Sequence, residues 1–285
     1  MRTARRRNNS LILNNKVEEY KEKFEFYLKS YVNKFSSESN GILESMEYTL
    51  MAPCKRLRPI IMIAFYKLFN GKSDEIYKFA IALEMIHTYS LIHDDLPCMD
   101  DGKVRRGKEC NHIKFKESTA LLAGDALITQ AFEVISEVKF LDLKNTLECI
   151  NILAQTAGSN GMVLGQYLDL NFPLLSFKEE NVLKLYELKT AQLFIAAAKI
   201  GSILAGANRK EVELAEDYAR NFGICFQIVD DLIDDEFEKK SYLSKSKLTN
   251  IFYDLNFKAV SILQSFNGDT SILEMLNEYI KSYLN

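Results

Sequence analysis

Two clusters of aspartate stand where apolar segments run out, and this limits how the chain can fold. Asp94, Asp95 and Asp100 follow the run from Ile81 to Ile92; Asp230, Asp231 and Asp234 follow the run from Phe222 to Val229. Carboxylates at the ends of segments that must be buried are costly unless a counter-charge meets them. Two acidic walls around a hard cation satisfy both clusters at once. Asp230 and Asp234 are four apart, so on a helix they leave one face and can share an ion. Pro97 biases Leu96 away from helical geometry, which ends the first helix just after Asp95 and makes Asp100 fold back from a loop. An all-oxygen ligand set without Cys or His suits Mg2+, completed by water and substrate phosphates.

The apolar runs read as helix. Only 12 Gly and 4 Pro occur in 285 residues, 47% of them hydrophobic, which favours long uninterrupted helices over many turns. Three-to-four spacing recurs, as in Leu183, Tyr186, Glu187, Thr190, Phe194 and Ala198, and no strand alternation is sustained. The pattern predicts an all-α chain, with residues 16–285 as one domain and 1–15 as a basic, disordered tail. The acid-free stretch from Met1 to Ser10 also fits the stub of a plastid-type transit peptide, the alternative to a cytoplasmic protein. A net charge of −3 argues against a nucleic-acid partner. Cys54, Cys98, Cys110, Cys149 and Cys225 have no metal-ligand spacing and read as reduced packing thiols of a cytosolic-type compartment. No apolar run approaches the roughly 18 residues that span a bilayer.

Basic residues supply the counterpart to the acids. Lys55-Arg56-Leu57-Arg58-Pro59 precedes one apolar segment, and Val104-Arg105-Arg106-Gly107 follows the first acidic cluster. Arginine matches phosphate oxygens in a planar, bidentate way and lysine acts as a point charge, so these runs read as a diphosphate clamp.

The stretch from Met85 to Asp100 with Arg105-Arg106-Gly107 resembles the first aspartate-rich motif of the short-chain trans-isoprenyl diphosphate synthases, and Phe226 to Asp234 resembles the second. Lys55-Arg56-Leu57-Arg58-Pro59, Leu122-Ala123-Gly124-Asp125, Gly165-Gln166 with Asp169, and Lys189-Thr190 occur in that family's order, so the likeness covers roughly residues 40 to 265. It implies a helical bundle of the isoprenoid synthase type around a central cavity. It also implies a homodimer and isoprenoid diphosphate substrates, with Mg2+, three ions per active site when substrate is bound, and Mn2+ as a substitute. Asp94, Asp95, Asp100, Asp230 and Asp234 correspond to metal-site residues. Lys55, Arg58, His87 and Arg106 correspond to the isopentenyl diphosphate pocket. Arg105, Lys189, Thr190 and Gln227 correspond to the catalytic allylic site, where hydroxyl and amide dipoles face the developing cation. His87 lies seven residues before Asp94 on one helical stripe; judged on spacing alone it is a core histidine.

Three places depart from the family pattern. Pro53-Cys54 stands where the family has Gly-Gly, and Asp101-Gly102-Lys103 where its run is more acidic. After Asp234 the family carries a longer Gly-rich loop with a lysine and then a helix opening with Gly-Lys. Here Lys245 and Lys247 take the places of the two family lysines, with the stretch between them missing. Product length is expected from the cavity floor: geometry nominates Ser90, one turn beneath Asp94, and the resemblance nominates Tyr89. The expected activity is condensation of isopentenyl diphosphate with dimethylallyl or geranyl diphosphate to farnesyl diphosphate. Alternatives are a geranylgeranyl diphosphate synthase, a weakly active partner subunit because of the short loop, and a terpene cyclase, against which the second Asp-rich motif speaks.

Overall fold

The computed structural model describes residues 15–34, 41–139, 142–171, 179–234 and 243–284. The all-α expectation is met. Helices run in the order α1 (Asn15–Val32), α2 (Gly41–Leu50), α3 (Leu57–Leu68), α4 (Ile76–Asp94), α5 (Asn111–Phe115), α6 (Glu117–Ser136), α7 (Leu143–Ala157), α8 (Met162–Asn171) and α9 (Glu179–Tyr186). A π-helical turn at Glu187–Ala191 leads into α10 (Gln192–Leu204), followed by α11 (Arg209–Ile233), α12 (Lys245–Leu263) and α13 (Ser271–Lys281). Among the described residues the strands are the two-residue pair β1 (Val104–Arg105) and β2 (Lys108–Glu109), antiparallel with Arg105 opposite Lys108. The tail expected over 1–15 lies outside the described residues except for Asn15, which opens α1.

Within the span that the sequence groups as one domain, contacts separate two compact units. One comprises Tyr20–Ile60 and Ser73–Asp142; the other comprises Met1–Glu19, Ile61–Lys72 and Leu143–Asn285. In the first unit, α4 packs mainly on α6, which also receives α2 and α5. Helix α4 buries Ile76, Phe79, Ala80, Leu83, Met85 and Ile86, covering its whole circumference rather than one stripe, as a helix apolar on all sides must.

In the second unit, α11 packs against α10 and α12, and α7 against α10. Its core is aromatic: Tyr218 and Phe222 stack at 6.0 Å, Phe194 meets Phe222 edge-on at 5.3 Å, and Phe65 meets Tyr218 at 5.5 Å. Each such ring stabilises the fold by roughly 2–3 kcal/mol through burial. The Tyr218 hydroxyl, enclosed among them, donates to the Leu273 carbonyl at 3.2 Å and accepts from Asn277 Nδ2 at 2.8 Å. No described helix is long and apolar enough to cross a membrane.

Helix α11, which presents the second acidic cluster, starts with a capping box. Asn208 Oδ1 accepts from the Glu211 amide at 3.1 Å, and the Glu211 carboxylate accepts from the Asn208 amide at 2.8 Å. Two otherwise orphaned amides are satisfied reciprocally. Asn208→Ala is therefore expected to lower stability by about 1 kcal/mol, while Asn208→Asp retains it. Urea midpoints measure this; an unchanged midpoint for the alanine variant would show that α11 does not depend on its cap.

Candidate active site

In the first unit, α4 ends at Asp94 and Asp95 caps it, as Pro97 predicts. The following loop returns at once: the Asp100 amide donates to the Asp94 carbonyl at 2.9 Å, Asp101 to Leu96 at 3.1 Å, and Gly102 to Asp95 at 3.2 Å. Three acids are thereby gathered at a helix C-terminus, where the helix dipole adds further negative potential. Asp95 is 3% exposed and is met inside the protein. Arg105 donates to it through Nη2 at 2.6 Å and Nε at 3.0 Å. Asp94 is partly exposed and Asp100 exposed.

Arg105 reaches Asp95 because of a two-residue hairpin. Arg106 and Gly107, at φ 53° and 77°, form the turn between β1 and β2, and two successive left-handed residues make a type I′ connection. A left-handed arginine costs about 1 kcal/mol or more and needs anchoring. Its guanidinium donates to the Thr49 carbonyl at 3.2 Å and to Glu84 at 3.3 Å.

Glu84 organises the basic groups. It is 1% exposed, and Oε1 accepts from Arg56 Nη1 at 2.6 Å as well as from Arg106. Arg56, also left-handed at φ 51° and 2% exposed, donates in addition to Glu25 at 2.7 Å and the Leu50 carbonyl at 2.7 Å. Breaking such a buried pair costs roughly 3–5 kcal/mol, whereas the exposed Arg209–Glu213 pair contributes a few tenths. So Arg56 is fastened inward, and its neighbours in the motif face other ways. Lys55 is exposed, and Arg58 Nη1 lies 3.1 Å from His87 Nε2. The sequence reading missed Glu84, although a lone acid inside an apolar helix signals a buried partner. Burial, with Glu84 beside it, pushes the Cys54 thiol up to about 11, so it is a neutral packing group.

Tyr89 is buried and sets its ring edge against His93 at 5.7 Å. Ser90 turns its hydroxyl back to the His87 carbonyl at 2.8 Å. Both lie on α4, beneath Asp94, as expected.

In the second unit, Lys189 and Thr190 sit in the π turn, which the regular spacing from Leu183 to Ala198 did not reveal. Such turns insert one residue and shift the faces that follow. Two glycines let neighbours clasp it. A Cβ on Gly165 would overlap the Lys189 backbone, and one on Gly223 would lie 2.5 Å from Ala191 Cα. Lys189 is paired with Asp169 on α8. The Thr190 hydroxyl donates to Gln227 Oε1, and Gln227 Nε2 donates to Asp231 at 2.8 Å. The Tyr186 hydroxyl donates to the other Asp231 oxygen. Burial raises the Asp231 carboxyl above its usual range, against the pull of these two bonds.

In the second cluster α11 ends at Ile233 and Asp234 is its cap, with a helical φ of −68° and an extended ψ of 136°. Its amide bonds back to the Asp231 carbonyl at 3.1 Å, which tightens the last turn. Asp230 remains on the helix and is exposed. Lys245 and Lys247 occupy the first turn of α12, capped by Ser244, and Lys247 pairs with Glu179 at 2.8 Å. The short loop itself, residues 235–242, lies outside the described residues. No group of three or more His, Cys, Asp or Glu is drawn together at metal-binding spacing among the described residues. Cys110, Cys149 and Cys225 are buried as packing residues, and Cys98 is exposed.

His87 carries a pH signature. Burial lowers its pKa well below the ordinary 6.5, and Arg58 lowers it further. The folded protein therefore binds this proton less readily than the unfolded chain. The neutral-histidine contribution to stability is fully present above pH 6.5 and is lost as the pH falls below that value towards the folded-state pKa. His87→Gln, which keeps an acceptor for Arg58, is expected to flatten the decline in unfolding free energy between about pH 6.5 and 5. Equal declines in both proteins would mean that His87 is protonated in the fold.

A polyprenyl synthetase family model matches residues 39–277. The chain is 41% identical over 207 residues to the farnesyl diphosphate synthase of Micrococcus luteus, covering 73% of this chain and 71% of that protein. It is also 41% identical over 199 residues to the large subunit 1 of a chloroplastic heterodimeric geranylgeranyl pyrophosphate synthase of Arabidopsis thaliana, covering 68% and 54% respectively. The crystal structure of an FPP/GFPP synthase from Zymomonas mobilis superposes with a TM-score of 0.86 at 34% identity, covering 93% of this chain and 99% of that one. With the aspartate clusters, the buried arginine network and the Lys189-Thr190 turn in place, the chain belongs to the polyprenyl synthetase family and is a trans-prenyl diphosphate synthase.

Proposed function

We propose that the protein is a metal-dependent farnesyl diphosphate synthase, extending dimethylallyl and geranyl diphosphate with isopentenyl diphosphate. The donor set fits a hard cation. Asp94, Asp100 and Asp230 offer only oxygen at partly or fully exposed positions, and Asp95 and Asp231 bond to Arg105 and Gln227. Mg2+ held by Asp94 and Asp100, and by Asp230, would supply Lewis-acid neutralisation of a departing diphosphate. Lys55, Arg58 and Arg106 bind the isopentenyl diphosphate, and His87, neutral at pH 7, accepts from Arg58 and keeps it aimed. Arg105 and Lys189, with Lys245 and Lys247, hold the allylic diphosphate. Thr190 and Gln227 turn oxygen lone pairs toward the allylic carbons as positive charge develops. An apolar surround keeps water from trapping the cation. The double bond of isopentenyl diphosphate attacks the allylic carbon, a proton is lost, and no side chain acts as nucleophile.

The fifteen-carbon product is carried by one observation, the buried Tyr89 ring on α4, five residues before Asp94 and braced by His93. The 41% identity to a geranylgeranyl synthase subunit, equal to that for the farnesyl enzyme, favours twenty carbons as the second reading. Leu121 and Leu122 on α6, 45% and 51% exposed, support a homodimer, in which a second copy covers them. The bacterial farnesyl diphosphate synthases among the relatives support a cytoplasmic setting.

Labelled isopentenyl diphosphate with dimethylallyl diphosphate and Mg2+, followed by product sizing, tests the reading. Wild type is expected to stop at fifteen carbons and Tyr89→Ala to shift the main product to twenty or more. The first condensation should slow less than about threefold, because the acids lie about one turn above. A wild-type product of twenty carbons, or an unaltered spectrum in the variant, removes Tyr89 as the floor.

A further inference from the structure

We propose that Tyr186 is a positioning residue for prenyl transfer, fixing through Asp231 the direction in which Gln227 and Thr190 present their oxygens. The inference rests on the reading that Thr190 and Gln227 face the allylic group. Tyr186 and Thr190 are four apart across the π turn, and Gln227 and Asp231 are four apart on α11. The two pairs face each other and close a cycle. Tyr186 donates to one Asp231 oxygen, Gln227 Nε2 to the other at 2.8 Å, and Thr190 to Gln227 Oε1.

Every bond in this cycle has one allowed polarity. An ionised carboxylate has no hydrogen to give, so both the tyrosine hydroxyl and the glutamine NH2 must donate to it. The amide is then locked with its oxygen toward Thr190, and Thr190 must spend its hydrogen on that oxygen. What remains outward on Thr190 is lone pair, the end of the dipole that stabilises a cation. A flipped Gln227 amide would set oxygen against carboxylate and turn NH2, the wrong sign, toward Thr190. Tyr186 is 4% exposed, and its bond fixes the rotation of the carboxylate on which this order depends. Without that bond Asp231 can rotate, and the amide loses its fixed partner. Tyr186 stands in the predicted helical stripe as a packing residue, and nothing in the metal or diphosphate chemistry calls for a phenol there.

The test is steady-state kinetics of the Mg2+-loaded full chain with dimethylallyl and isopentenyl diphosphates, using Tyr186→Phe, Gln227→Leu, the double variant and Thr190→Val. Tyr186→Phe is expected to lower kcat about tenfold, the low end for loss of an orienting partner, with both KM values within about twofold. In the Gln227→Leu background the same substitution should change kcat less than about twofold, because the group it orients is gone. A merely structural tyrosine would give multiplying losses. Asp231→Asn, which keeps shape but puts an NH2 against Tyr186 or Gln227, is expected to show the same kcat loss and serves if Tyr186→Phe does not fold. Multiplying effects, a loss carried by KM, or near-wild-type kcat in Tyr186→Phe while Thr190→Val is impaired would overturn the inference. An unimpaired Thr190→Val would instead overturn the role given to Thr190, and the inference with it.

Discussion

Like charge gathered at the negative end of a helix is the constraint from which the rest of this structure follows. Asp94 closes α4 and Asp230 lies in the last turn of α11, so each cluster adds carboxylates where the dipole already disfavours them. In both places the protein divides the adjacent pair in two. Asp95 turns inward to Arg105, and Asp231 turns inward to Tyr186 and Gln227. Asp94 is partly exposed, and Asp100 and Asp230 are exposed.

The inward carboxylates also organise the groups around them. Asp95 holds Arg105 at the root of a hairpin whose turn residue, Arg106, is fastened to Glu84 along with Arg56. Arg56 and Arg106 both hold left-handed backbone, Arg56 buried and Arg106 half-buried, and Glu84 anchors both. Asp231 plays the same part for Gln227 and Thr190, which approach because Gly165 and Gly223 allow α8 and α11 to clasp the π turn.

Much of this was legible in the sequence. Apolar runs ending in acids, scarce glycine and proline, and Pro97 after Asp95 gave the helices, the break and the returning Asp100. The placing of Ser90 one turn beneath Asp94 on α4 follows from spacing alone, whereas Tyr89, five residues back, was singled out by the family resemblance. The rest was hidden for physical reasons. Spacing assumes regular helix, so it could not see the π turn at Lys189. A hairpin of two-residue strands is too short to show alternation, and its turn uses Arg106 where Asn or Gly is usual. Glu84 and Tyr186 act through partners remote in sequence, which periodicity does not reveal.

Thermal unfolding with and without Mg2+ and inorganic diphosphate tests the division of each aspartate pair most directly. Asp95→Asn and Asp231→Asn are predicted to lower Tm in the absence of ligand, because the first leaves Arg105 without its counter-charge and the second sets an NH2 against the donors of Tyr186 or Gln227. Asp94→Asn and Asp230→Asn are predicted to lower Tm less than these and to lose the stabilisation that Mg2+ with diphosphate gives wild type. The reverse assignment in either pair, or four variants that behave alike, would contradict the division.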